Sequence, residues 1–347
     1  MNIYLTLDYE LFLGATTGTP QNCLVRPMKE MMDVLEKTDT KLSVLVDGAY
    51  LYRMWQLKDS IIGVNGDYLT VIDNIKEMDR RGHSIQYHFH PQWIYSDYEI
   101  DQGWKMDFEH YKLSDVPMDV LTTAFKKGVD IIEESIGKKV CAFRAGGYSL
   151  CEYSWYGKLF RENGILLDTS VIPGAKVKSR FQRYDYQKSP KKSLYFFKDN
   201  VCKEVDGGCD TFIEMPISVS EKMSSLVYLI KKRKLLSQYQ PKVVYGDGKG
   251  VGTQLTRWQS LLEHLKKFIG TVRMTATIDG FSSLELMKVY ESNKRKGADN
   301  LVVIGHPKAV TDASLRNLKQ FVESMLSAGN EFHTLDEVAK KYKNQEK

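Results

Sequence analysis

Short apolar strand patterns alternate with amphipathic helix patterns about seven times along the chain of 347 residues. The first strand is predicted at residues 2–7, and a nearly all-apolar strand is predicted at residues 301–304. Continuous apolar strands are typical of a parallel sheet that is covered on both faces. The alternation therefore predicts an α/β fold with a parallel sheet, in which the carboxyl ends of the strands gather on one side.

The sequence predicts a single domain over residues 1–347, because no repeat, low-complexity segment or separating linker divides it. Loop and helical insertions are predicted near residues 94–117 and 216–270. The hydrophobic fraction of 42% is sufficient for a packed core, and the net charge of +5 is mild. The densest basic run, at residues 231–234, ends a helical pattern and is predicted to be a solvated face. Nucleic acid is therefore not an expected partner.

The five cysteines argue against a disulfide framework, because their number is odd and no Cys-x-x-Cys pair is present. The N-terminal residues lack the basic and apolar regions of a secretory signal. No apolar run approaches the roughly 18 residues that a membrane span requires. The expected location is the cytoplasm, with no membrane span.

A pair of histidines closes the strand that is predicted at residues 84–89, directly after a helical pattern that ends at Gly82. His88 and His90 are two residues apart, so both side chains can point to the same face. Pro91 lacks a backbone donor and ends the strand. Two adjacent imidazoles are half of a metal site. The alternative is one structural and one solvent-facing histidine, and the pair alone does not decide between them.

Candidate catalytic side chains follow one predicted strand after another. Asp8 and Glu10 end the first strand, and two carboxylates this close either flank a metal or raise one pKa for acid–base work. Arg144 precedes two glycines, which suggests a cation aimed into a cleft. Because parallel strands bring their carboxyl ends to one face, we expect a single site. Its candidate residues are Asp8, Glu10, His88, His90, Arg144, Asp168 and His306.

The segment at residues 94–117 is rich in aromatic and acidic residues and is predicted to be a long loop over this site. Aromatic rings of such a loop either hold the apolar faces of sugar rings or anchor the loop on the core. The sequence leaves both possibilities open.

The motifs, in their order along the chain, resemble those of the polysaccharide deacetylase superfamily, which includes carbohydrate esterase family 4. They are an acidic pair at residues 5–10, a histidine motif at 82–92, an arginine motif at 143–148, an aspartate motif at 167–174 and a late histidine motif at 303–307. The resemblance spans residues 3–307 and implies a distorted parallel (β/α)7-type barrel.

The resemblance also implies a divalent metal ion, with zinc as the expected cofactor, held by Glu10, His88 and His90. The chain departs from the superfamily pattern at Gln92, where a second histidine ligand is usual. We predict that His90 replaces that ligand, because it shares a face with His88 and imidazole is a better ligand than a carboxamide. The alternatives are Gln92 or a water as the ligand, or a site without a metal.

The roles of the remaining site residues follow from the same resemblance. Asp8 is expected to remove a proton from the attacking water, and Arg144 is expected to orient Asp8. His306 is expected to protonate the leaving amine while Asp168 holds its ring. His83 matches a position that looks structural and is not included in the site.

The function that these residues imply is removal of N-acetyl or O-acetyl groups from a carbohydrate or glycan precursor, which makes carbohydrate the expected partner. One alternative is a glycosidase or cyclic-amide hydrolase on the same fold. A glycosidase would pair Asp8 with Asp168 or Glu214 across a sugar. Another alternative is a carbohydrate-binding protein that has lost catalysis, which the departure at Gln92 permits.

Overall fold

The computed structural model describes residues 1–150, 153–179, 182–208, 210–250 and 271–343. Part of the predicted helical insertion, residues 251–270, lies outside the described residues.

The secondary structure of the described residues follows the predicted alternation. The strands are β1 (Asn2–Tyr9), β2 (Ser43–Asp47), β3 (Ser84–Phe89), β4 (Asp97–Glu99), β5 (Gly103–Lys105), β6 (Ala142–Ala145), β7 (Leu167–Asp168), β8 (Lys176–Lys178), β9 (Arg183–Asp185), β10 (Tyr195–Phe197), β11 (Phe212–Glu214), β12 (Met223–Ser224), β13 (Thr271–Val272), β14 (Asn300–Gly305) and β15 (Glu331–Phe332). The α-helices are α1 (Arg26–Glu36), α2 (Gly48–Leu57), α3 (Ile62–Arg80), α4 (Met118–Ile136), α5 (Tyr153–Glu162), α6 (Ser225–Gln238), α7 (Leu286–Arg295), α8 (Asp312–Ser327) and α9 (Leu335–Lys343).

Nine of these strands form one curled sheet. Its order is β10-β11-β7-β6-β3-β2-β1-β14, and β15 pairs with the start of β1. The pairings are parallel except for the antiparallel pair β10–β11. The other described strands form three small hairpin-like sheets, β4–β5, β8–β9 and β12–β13.

Irregular segments connect the two ends of the curled sheet. Ile304 of β14 donates its backbone N–H to the Ala276 carbonyl at 2.9 Å, and Ala276 donates to the Ser218 carbonyl at 2.8 Å. Ile217 in turn donates to the carbonyl of Val171, which follows β7, at 2.9 Å. A mostly parallel sheet closed in this way is a distorted (β/α) barrel, and the predicted fold class is confirmed.

The inner face of the sheet carries an apolar layer that helix α9 covers from below. Tyr4, Leu45, Ala142 and Val302 from four strands pack there with Leu335 of α9. The outward-facing residues of the same strands belong to a larger core that includes the surrounding helices. Helices such as α1, α4 and α8 bury one apolar stripe in this larger core, as their apolar periodicity predicts.

Every second residue of a strand points to the inner face. Along that face, the side chains change from this apolar layer to polar residues at the carboxyl ends of the strands. Asp8 lies four residues after Tyr4 on β1, and Arg144 lies two residues after Ala142 on β6. The register pairs His88 of β3 with Arg144, so His88 lies on the same face. The fold thus places these side chains together at one mouth of the barrel.

Two sequence predictions about local structure need correction. The first strand extends to Tyr9, two residues beyond the prediction, so that Asp8 lies within β1. The segment at residues 94–117 is not only a loop, because β4 and β5 pair within it and bring Tyr98 opposite Trp104. Among the described residues, no helix is long and apolar enough to cross a membrane.

Candidate metal centre and active site

Glu10, His88 and His90 form one buried cluster at the mouth of the barrel. Each offers a ligand atom, and these atoms lie within 4.8 Å of one another. Glu10 Oε2 is 3.1 Å from His88 Nε2 and 2.5 Å from His90 Nε2. The structure therefore brings together the three residues that were predicted as metal ligands.

The local backbone explains why both imidazoles reach the same point. His88 is the fifth residue of β3, and His90 keeps an extended backbone (φ −109°, ψ 101°) just beyond the strand. The 3₁₀ helix Pro91–Tyr95 begins at the next residue. The two rings have centroids 4.7 Å apart at an interplanar angle of 76°. Strand alternation thus continues one residue past the ladder, as the His-x-His spacing predicts.

The surroundings of the cluster fit a divalent metal ion. His88 Nδ1 lies 2.7 Å from the Arg144 carbonyl, so this nitrogen donates its hydrogen there and Nε2 is left to bind a ligand. His90 Nδ1 is buried without a hydrogen-bond partner among the described residues. Two imidazole nitrogens and one carboxylate oxygen are a known donor set for catalytic zinc. Burial lowers the pKa of His88, but the carboxylates of Asp8 and Glu10 raise it to about 9. Metal binding at this site would therefore release a proton.

The carboxylate of Glu10 has a second cationic neighbour that sequence reasoning missed. Lys308 Nζ donates to Glu10 Oε1 at 2.7 Å, and also to the Leu11 carbonyl at 2.7 Å. Burial alone would raise the pKa of Glu10, but Lys308 and His90 hold it well below its ordinary value. The sequence signal that could have pointed to Lys308 is its position, two residues after His306 and directly after the last motif.

Asp8 and Arg144 form a buried ion pair beside the cluster. Arg144 Nη1 donates to Asp8 Oδ1 at 2.6 Å, and Arg144 Nε donates to the Thr169 carbonyl at 2.9 Å. The guanidinium is fixed further by Thr6, whose Oγ1 accepts from Nη2 at 2.8 Å. Burial raises the pKa of Asp8, but Arg144 and the neighbouring histidines lower it below its ordinary value. Asp8 is therefore an ionised carboxylate with a fixed orientation.

His306 faces the same site and is held by Asp279. His306 Nδ1 lies 2.7 Å from Asp279 Oδ2, and the His306 backbone N–H donates to Asp279 Oδ1 at 2.8 Å. His306 Nε2 points towards Asp8, with 3.6 Å to Oδ2. The expectation that Asp168 holds this ring is wrong, because Asp279 occupies that position. The sequence signal that could have pointed to Asp279 is its position, a carboxylate just after the segment that closes the barrel.

The strand register explains why Asp168 lies elsewhere. Asp168 pairs with Phe143 and with Glu214, which places it on the outer face of the sheet, opposite to Arg144. Its Oδ1 accepts from Ser170 Oγ at 2.6 Å, and both Asp168 and Glu214 are completely buried. Burial and the neighbouring Asp168 raise the pKa of Glu214 well above its ordinary value. The outward position of both carboxylates removes the pair on which the glycosidase alternative depended.

The aromatic segment supplies both the rim of the site and its anchors. The ring of Tyr111 lies at 88° to the His90 ring with centroids 6.4 Å apart. Gln92 is completely buried, and neither polar atom of its side chain has a hydrogen-bond partner among the described residues. Trp93 and Trp104 are buried with ring centroids 5.2 Å apart, and they are anchors of the segment. The structure thus supports the anchoring role for these two rings, and the sugar-holding role of the segment stays a prediction.

Comparison with known proteins identifies the fold. No family model and no curated protein matches the sequence. Among solved structures, the chain is similar to a protein from Mycobacterium smegmatis classed as a polysaccharide deacetylase, with a TM-score of 0.51 and 13% identity over 99% of this chain and 90% of that chain. The chain has a polysaccharide deacetylase fold. The resemblance seen in the sequence motifs is thereby confirmed at the level of the fold.

Two further solved structures are similar to this chain, with lower TM-scores. The Puue allantoinase has a TM-score of 0.47 and 12% identity over 98% of this chain and 89% of that chain. The 4-α-glucanotransferase from Thermococcus litoralis has a TM-score of 0.47 and 12% identity over 98% of this chain and 40% of that chain. A shared fold does not by itself establish a shared chemistry, so the function must be argued from the site.

Proposed function

We propose that the chain is a metal-dependent hydrolase that removes N-acetyl or O-acetyl groups from a carbohydrate or glycan precursor. The observation that carries this proposal is the convergence of three groups at one barrel mouth. These are the Glu10–His88–His90 cluster, the Asp8–Arg144 ion pair and the His306 ring. A ligand set, a base and an acid around one point are the parts that hydrolysis of an acetyl group requires.

Glu10, His88 and His90 would hold the metal, and we propose zinc because the set combines two imidazoles with one carboxylate. A bound zinc ion would polarise the acetyl carbonyl and lower the pKa of a water molecule. Three protein ligands leave a coordination position for that water and for substrate.

Asp8 is the proposed general base. Arg144 holds Oδ1 at 2.6 Å and keeps the carboxylate ionised, so that Oδ2 is available to accept a proton from the attacking water. The water oxygen then forms a bond to the acetyl carbon, and the proton stays on Asp8.

His306 is the proposed general acid. In the protonated ring, Nδ1–H donates to Asp279 and Nε2–H carries the proton that the leaving amine or alcohol receives. Burial lowers the pKa of His306, but Asp279 and then Asp8 raise it above its ordinary value, which favours the protonated ring. The bond between the acetyl carbon and the sugar nitrogen or oxygen breaks, and acetate and the free sugar group leave.

A carbohydrate-binding protein without catalysis is a second candidate. The Lys308–Glu10 ion pair favours it, because a protein cation already occupies one oxygen of the proposed metal ligand. Zinc analysis of the purified chain separates the candidates, since a hydrolase of this kind binds one ion per chain and a binding protein binds none.

Acetate release from a panel of N- and O-acetylated saccharides tests the proposal. We expect acetate release by the zinc-loaded chain and loss of both zinc and turnover in His88→Ala, because this imidazole is a proposed ligand. His333→Ala is the matched control, since the ring nitrogens of this partly exposed side chain pair with Glu331 and Glu337 instead of with the proposed ligands. If the chain bound saccharides but neither bound zinc nor released acetate, the hydrolase proposal would be refuted and the carbohydrate-binding protein supported.

A further inference from the structure

The carboxylate of Glu10 is divided between two kinds of neighbour. Its Oε2 faces the ring nitrogens of His88 and His90, whereas its Oε1 accepts from Lys308 Nζ at 2.7 Å. The side chain of Lys308 is only 12% exposed, so this ion pair is largely shielded from water. A buried ion pair interacts much more strongly than an exposed one.

Lys308 is held at both ends of its side chain. The ammonium donates to the Leu11 carbonyl at 2.7 Å and lies 5.3 Å above the centre of the Phe12 ring. The backbone belongs to the 3₁₀ helix Pro307–Ala309, and a Cβ on Gly246 would lie only 2.2 Å from the Lys308 carbonyl oxygen. The neighbouring loop therefore packs directly against this backbone, and the cation has a fixed position.

We propose that Lys308 is a resident counter-cation that restricts Glu10 to one ligand oxygen and weakens the affinity of the site for its divalent ion. This inference rests on the proposed metal-dependent function and concerns the regulation of that same site. A divalent ion at the histidines must share Glu10 with an ammonium that cannot move away. The repulsion between the two cations acts in a poorly solvated place, where charges interact strongly.

The charge balance around the cluster gives the direction of the effect. Asp8 is neutralised by Arg144, and Glu10 is neutralised by Lys308. With both carboxylates already paired, the described site offers a divalent ion no uncompensated negative charge from these two residues. Removal of the Lys308 charge restores one negative charge next to the proposed ligands, so the ion should bind more tightly.

Zinc titration without substrate tests the proposal, with a chromogenic chelator as competitor. We expect Lys308→Met to bind zinc at least about tenfold more tightly than the wild type, the scale on which groups behind metal ligands act. Lys308→Arg keeps the charge and should stay near the wild-type dissociation constant. Lys126→Met is the matched control, because it removes the same net charge from an exposed pair with Asp130 on α4.

A second variant guards against loss of folding. Lys308→Gln keeps a neutral donor for Glu10 and for the Leu11 carbonyl, and it should tighten zinc binding in the same direction. Equal zinc affinities in the wild type and both neutral variants would overturn the inference and leave the proposed function standing. Zinc binding only by the neutral variants would support the inference and refute the metal-dependent function of the wild type. Absence of zinc binding in all variants would overturn both.

Discussion

The ionisable side chains of the candidate site occur as buried pairs of opposite charge. Asp8 pairs with Arg144, and Glu10 pairs with Lys308. Such pairs gain little net stability over apolar side chains of the same volume, but loss of one partner leaves a buried charge uncompensated. The two pairs fix the orientation and the ionisation of the proposed base and the proposed ligand.

Asp279→Asn tests the pairing that the structure assigns to His306. We expect kcat for acetate release to fall roughly 100-fold, because the ring loses the carboxylate that orients it as an acid. KM and zinc affinity should stay at their wild-type values, since Asp279 is a positioning residue that acts through His306 and is not a proposed metal ligand. Asp168→Asn is the comparison variant. A larger loss of kcat in that variant would show that Asp168, and not Asp279, orients the His306 ring.

Strand alternation predicted that His88 and His90 share a face. The gathering of strand ends and the family resemblance predicted that Glu10 joins them. The same reasoning failed for Asp168, because β7 is only two residues long. The face of the sheet on which the Asp168 side chain lies is set by the register between β7 and β6. Asp279 was missed because the segment before it is held by tertiary contacts to β14 instead of forming a long regular strand. Register and barrel closure are set by packing between distant segments, which sequence periodicity does not contain.

Glu214→Gln tests the buried carboxyl pair on the outer face of the sheet. Below the ordinary glutamate pKa of 4.5, the folded and unfolded chains both carry the proton. Above it, the unfolded chain releases the proton while burial and Asp168 keep it on Glu214 in the folded chain. The free energy of unfolding should therefore fall as pH rises, by about 1.4 kcal/mol per pH unit until the raised pKa is reached.

Urea unfolding at pH 5 and pH 8 measures this effect. Glu214→Gln should have a flatter pH dependence than the wild type and should be more stable at pH 8. Glu204→Gln is the control, because Glu204 pairs with Lys192 on the exposed surface. An unchanged slope in Glu214→Gln would show that Glu214 ionises normally in the folded chain.

At the level of elements, the turn after β6 shapes the candidate metal centre. A Cβ on Gly146 would lie 2.6 Å from the Phe89 carbonyl oxygen and 2.7 Å from His90 Nδ1. Glycine is thus required by the close approach of the turn to the end of β3.

Gly146→Ala should displace the His90 ring and weaken zinc binding, by roughly 10- to 100-fold on the scale of altered ligand orientation. The free energy of unfolding should also fall, because the added Cβ meets the backbone carbonyl oxygen of Phe89 as well as the His90 ring. Gly66→Ala is the control, because it lies within helix α3 and its added Cβ meets no atom within 4 Å. Zinc affinity equal to the wild type in Gly146→Ala would exclude a role of this contact in holding His90.

At the scale of the whole molecule, the ends of the described chain meet in the inner core. β1 lies between strands from both halves of the sequence, since it pairs with β2 on one side and β14 on the other. Leu335 of α9 packs with Tyr4 of β1 and Leu45 of β2. We therefore propose that the chain folds as the single domain that the sequence predicts, and that its unfolding is one cooperative transition.

Urea unfolding followed by two probes tests this proposal. In a variant whose three other tryptophans are replaced by phenylalanine, the fluorescence of Trp93 and Trp104 reports on the aromatic segment. Far-ultraviolet circular dichroism reports on all helices and strands. We expect coincident transitions, and Leu335→Ala should shift both by the same amount, with a loss of about 2–5 kcal/mol because this side chain is completely buried. Leu326→Ala, at a position 39% exposed, should cost little. If Leu335→Ala moved the dichroism but left the tryptophan transition in place, the segment around the candidate site would belong to a separate unit. The distant contact between α9 and β1 would then stabilise only part of the chain, and a single domain would be wrong.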